Sequence, residues 1–73
     1  MGDTFAQVYR PERVERALRS LGLSAMANAV RSGKRTPSDG LQHIRDTIAR
    51  GRRTTDWCAD ARLVVHELEQ VSQ

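Results

Sequence analysis

The chain has 73 residues, 38% of them hydrophobic and 29% charged, and carries a formal charge of +3; that length admits one domain, and the composition excludes the low-hydrophobicity, high-charge class that stays disordered. Its lone cysteine, Cys58, closes no internal disulfide, no Cys/His set stands at zinc spacing, and no apolar run approaches the roughly 18 residues of a membrane span. The amino terminus, Met1-Gly2-Asp3-Thr4, lacks the basic and apolar regions of a signal peptide, so the expectation is a single cytoplasmic domain over residues 1–73, with no cofactor and a thin stability margin.

Residues 1–10 read as an amino-terminal arm or a short helical turn that places Phe5, Val8 and Tyr9 against the rest of the chain. Pro11 opens the first substantial helix, because its missing N–H needs no partner at the first helical position; Glu12 and Glu15 favour the positive end of the helix dipole. Val14, Leu18 and Leu21 recur at spacings of four and three beside Ala17, giving one apolar face, and Gly22 supplies a left-handed stop followed by the hydrophobic Leu23. Ser24 is the expected N-cap of a short second helix carrying Met26, Ala29 and Val30 and ending at Gly33; a single kinked helix over 11–32 is the alternative.

Thr36-Pro37-Ser38-Asp39 is a stronger start signal, with a capping Thr, Pro at the first position and an acid three residues after the cap. The third helix then buries Leu41, Ile44 and Ile48 and stops at Gly51. Thr54 or Thr55 caps the last and longest helix, whose core stripe is Trp57, Ala61, Val64, Val65, Leu68 and Val71. The predicted fold is therefore all-α, a small bundle of three to four short helices.

Catalytic constellations fail one by one. His43 and His66 have no acid or nucleophile at a motif spacing, and Cys58 and His66 stand eight residues apart on a helix, roughly 12 Å at 1.5 Å per residue, too far to share a metal ion. Asp56 and Asp60, one turn apart, read as an exposed acidic face. Ser32-Gly33-Lys34-Arg35-Thr36 lacks the upstream glycine and the Ser or Thr directly after Lys that a phosphate loop requires, and no strand precedes it. Acid–base pairs four apart, Glu12/Arg16, Glu15/Arg19 and Asp46/Arg50, mark solvent-facing helix surfaces.

Charge is unevenly spread. Residues 31–53 hold seven basic side chains against Asp39 and Asp46, a balance of +5, whereas the chain from Thr54 onward sums to −3. Arg31, Lys34, Arg35, Arg45, Arg52 and Arg53 have no acid three or four residues before them; clusters at 31–35 and 50–53 flank the third helix and Arg45 can join them along one edge, which could follow a phosphate backbone with a strong salt dependence. Leu21-Gly22-Leu23-Ser24 fits a helix-turn-helix poorly, since the helix after it offers little beyond Asn28 to read bases; Gln42, His43, Arg45 and Asp46 of the third helix are better readers. Over ten residues, Leu18 to Ala27, the spacing of Leu and Met-Ala resembles the helical leader of IstB-type transposition helper ATPases, but the ATPase core that defines that family is absent, so the resemblance implies no activity here.

A protein surface is the favoured reading. Trp57 and Tyr9 are aromatics near element ends, and Leu63 lies off the core stripe, so that with Val64 and Val65 it makes the last helix apolar over more than half its circumference. Trp57, Leu63, Val65 and Tyr9 are the candidate interface residues of a non-enzymatic interaction module, expected to be a homodimer and to regulate or inhibit a larger bacterial or phage-type machine. The alternative is a DNA-binding regulator using the basic edge.

Overall fold

The stops anticipated at Gly22, Gly33 and Gly51 divide the described residues into four helices: α1 (Pro11–Ser20), α2 (Ser24–Ser32), α3 (Pro37–Arg50) and α4 (Thr55–Val71). A computed structural model describes the backbone of residues 10–71 and the side chains of residues 10–70, and among these no strand occurs. The all-α bundle is thus observed. Phe5, Val8, Tyr9 and the Val71 side chain lie outside the described residues.

Residues 11–32 form two helices. Gly22 adopts φ 78°, its N–H donates to Arg19 O at 3.0 Å and the Leu23 N–H donates to Leu18 O at 2.8 Å, the paired bonds of a Schellman stop that closes α1. Leu23, at 8% exposure, completes the motif by packing beside Leu18 in the core. That requirement displaces the expected Ser24 cap. Leu23 occupies the cap position of α2, its carbonyl accepting from Ala27 N–H at 3.0 Å, and Ser24 becomes the first helical residue with no capping bond.

The start of α3 forms the full capping box. Thr36 Oγ1 accepts from the Asp39 N–H and Asp39 Oδ2 accepts from the Thr36 N–H, both at 3.1 Å. At α4, Thr54 rather than Thr55 is the cap, its hydroxyl accepting from the Trp57 N–H at 3.1 Å.

The core comprises Val14, Leu18, Leu21 and Leu23 from the α1 region, Ala27 and Val30 of α2, Leu41 and Ile44 of α3, and Ala61, Val65 and Leu68 of α4, with Ala17, Met26, Ile48, Trp57 and Val64 partly covered. Packing is close where α3 crosses α1 and α2. A Cβ placed on Gly40 would lie 2.8 Å from Val14 Cγ1 and 3.1 Å from both Leu18 Cδ1 and Val30 Cγ2, so only glycine lets three helices converge there. α4 rests chiefly on α3 and meets α1 over a short stretch, where Trp57 Nε1–H donates to Leu21 O at 2.8 Å. This bond satisfies a carbonyl that the end of α1 leaves without a helical partner. None of the described helices is long and apolar enough to cross a membrane.

Candidate interaction surfaces

The sequence places two candidate surfaces on the bundle, one apolar and one basic. On α4 the residues one and two turns apart, Ala61, Val65 and Leu68, face inward, which rotates Leu63 to the opposite side. Leu63 is 63% exposed, the one large hydrophobic side chain so exposed among the described residues. Its three companions in the predicted interface fare differently. Val65, at 9% exposure, belongs to the core and offers little outer surface. Trp57 is half-buried, its indole N–H held by Leu21 and its ring covered by the Arg53 guanidinium 4.9 Å from the ring centroid. Tyr9 falls outside the described residues.

Beside Leu63, the shallow packing of α4 on α1 leaves a groove of about 290 Å³ lined by Arg13, Arg16, Ala17, Ser20, Val64, Glu67 and Leu68. Its floor is apolar, from Ala17, Val64 and Leu68; one rim is basic and the other carries Glu67. Arg13, Arg16, Asp60 and Glu67 are exposed, and none has an ion pair within the described residues. Sequence reasoning missed this groove. The signal was present in Arg13, Arg16 and Ser20, which recur at three and four along one edge of α1, but nothing in a single helix says that α4 comes to rest next to that edge.

The basic edge is less uniform than its composition suggests. Arg45 forms an ion pair with Glu69 across α3 and α4, and Arg53 stacks on Trp57, so α4 engages two of the six candidates. Arg31, Lys34, Arg35 and Arg52 are exposed without an ion pair among the described residues. Base readers are occupied too. Gln42 Nε2–H donates to Asp46 Oδ1 at 3.0 Å, and Asn28 Oδ1 accepts from Arg19 Nη2–H at 2.8 Å. Of the three acid–base pairs at spacing four, Arg19–Glu15 forms, at 2.8 Å. Asp46 engages Gln42 in place of Arg50.

A second cleft, of about 250 Å³, lies between α3 and α4 and is lined by Arg45, Ile48, Ala49, Arg62 and Val65. Cys58 is a free thiol of intermediate exposure, and no three His, Cys, Asp or Glu side chains among the described residues converge on a point that could hold a metal ion. No family model, curated protein or solved structure matches this chain.

Proposed function

We propose that this chain is a non-enzymatic protein-interaction module that self-associates through its last helix and acts as a cytoplasmic regulator or inhibitor of a larger bacterial or phage-type machine. The observation that carries this reading is Leu63, a large apolar side chain held outward on the solvent face of a regular helix, beside an apolar-floored groove. A fully buried Leu side chain is worth about 1.5 to 3 kcal/mol relative to an exposed one, enough for a few such contacts to hold a weak complex together.

Leu63→Glu in the full chain tests it. The expected outcome is an unchanged far-ultraviolet circular dichroism spectrum and a loss of assembly mass by light scattering. Val65→Glu is the contrast: it puts a charge into the core and should lower helicity itself. Wild-type protein that stays monomeric, and captures no protein partner from lysate in a Leu63-dependent way, would sink the reading.

Nucleic-acid binding is the second reading, favoured by Arg31, Lys34, Arg35 and Arg52 remaining exposed and without ion pairs among the described residues. It predicts a duplex gel shift at about 50 mM salt that is lost on raising salt and on replacing these four residues with Ala. No shift at that salt removes it.

A further inference from the structure

We infer that two copies of the chain meet crosswise, the acidic outer edge of α4 from each copy lying against the basic edge of α1 from the other, so that together they close the α1–α4 grooves. The inference rests on the proposed self-association and specifies its surface.

The groove is polarised from side to side. Its α1 rim carries Arg13 and Arg16; its α4 rim carries Glu67, and Asp60, Leu63 and Glu67 follow at three and four along the same helix edge. None of Arg13, Arg16, Asp60 and Glu67 is ion-paired among the described residues, so their charges are available to a partner. A two-fold axis running parallel to such a groove exchanges its left and right rims. Each acidic rim then faces a basic rim, twice per dimer. A two-fold axis running across the groove instead lays acid on acid and Arg on Arg, an arrangement that like-charge repulsion disfavours. A polarised groove is therefore self-complementary in one orientation, which sets the two apolar floors of Ala17, Val64 and Leu68 against each other and leaves Leu63 at the outer border of each acidic rim.

Size sets the strength. α4, with 17 residues, is about 25 Å long and neighbouring helices pack 8 to 10 Å apart, so a two-helix face covers on the order of 500 Å² per copy. The total of about 1,000 Å² is at the bottom of the range for specific interfaces and corresponds to a weak, reversible dimer. Its charged rims are exposed, so salt should screen them efficiently.

The pairing is tested with the wild-type 73-residue chain and two charge variants of it, Arg13→Glu/Arg16→Glu and Asp60→Lys/Glu67→Lys. All four positions are exposed, so each variant is expected to keep wild-type helicity by circular dichroism. In sedimentation equilibrium the wild type should be a dimer at about 50 mM salt and weaken roughly tenfold toward 0.5 M. Either variant alone should be monomeric, because its α1 and α4 edges now carry the same sign. An equimolar mixture of the two should recover dimer mass, since every rim in the heterodimer again meets its opposite. A dimeric wild type whose charge variants still self-associate, or whose mixture stays monomeric, overturns the crosswise pairing while leaving self-association standing. A monomeric wild type overturns both. If Phe5→Ser/Tyr9→Ser dimerises more tightly than wild type, residues 1–9 compete for the groove and are its occupant, and the inference also fails.

Discussion

Gly40 illustrates how one residue sets the spacing of a bundle. Near the start of a helix a glycine ordinarily costs up to about 1 kcal/mol relative to alanine, so Gly40→Ala has an intrinsic gain to offer. Against it stands a Cβ placed 2.8 Å from Val14 Cγ1, a fully buried β-branched side chain with little freedom to rotate away. Overpacking of this kind costs about 1 to 3 kcal/mol. The steric cost outweighs the gain in helix propensity, and Gly40→Ala should lower stability by about 1 kcal/mol in urea denaturation. A stabilised variant would mean that α1 moves aside cheaply. Nothing in the sequence marks Gly40 as different from a permissive glycine, because its three neighbours, Val14, Leu18 and Val30, come from two other helices.

At the scale of the element, the caps divide into those that bond and those that only resemble caps. Thr36 and Asp39 satisfy each other's backbone N–H groups, whereas Ser24 bonds to no backbone N–H as a cap although its sequence context reads as one. Thr36→Ala should therefore cost about 1 kcal/mol, while Ser24→Ala should stay within about 0.5 kcal/mol of wild type. Thermal denaturation of the two variants side by side checks this, and equal losses would show that Ser24 caps α2 in solution. Helix ends were legible because their signals are local: Pro11 and Pro37 at first positions, and Gly22, Gly33 and Gly51 at positive φ. The division of residues 11–32 into two helices was open in the sequence. It is decided by Leu23, which the core draws in beside Leu18 and which thereby turns the chain at Gly22.

For the whole molecule, 73 residues support only a small core, and any association adds directly to its stability by mass action. Under the proposed self-association, the midpoint of thermal unfolding should rise by several degrees between about 10 µM and 1 mM wild-type protein and stay flat for Leu63→Glu. Differential scanning calorimetry at the two concentrations reads this out; a concentration-independent midpoint in the wild type would count against a dimer in that range. The inter-helix links Arg45–Glu69 and Arg53–Trp57 belong to this scale too. Each is exposed enough to contribute little to stability, but both show α4 neutralising or covering parts of a basic edge that looks continuous in the sequence.

Sequence alone determined the helical class, the stops, the capping box at Thr36 and the main inward positions of α1, α3 and α4, since these depend on φ preferences, local hydrogen bonds and a period of 3.6 residues; in α2 it pointed to Met26, Ala29 and Val30, whereas the buried pair is Ala27 and Val30. It also singled out Leu63, whose position opposite Ala61 and Val65 follows from that same period. Only the tertiary structure decided that Val65, which the sequence put both in the core stripe and in the candidate interface, is core, that Gly40 is a point of close approach, and that Arg13, Arg16 and Glu67 frame one groove. Those facts depend on which helix faces which across loops of a few residues, and neither periodicity nor capping within a single helix encodes that choice.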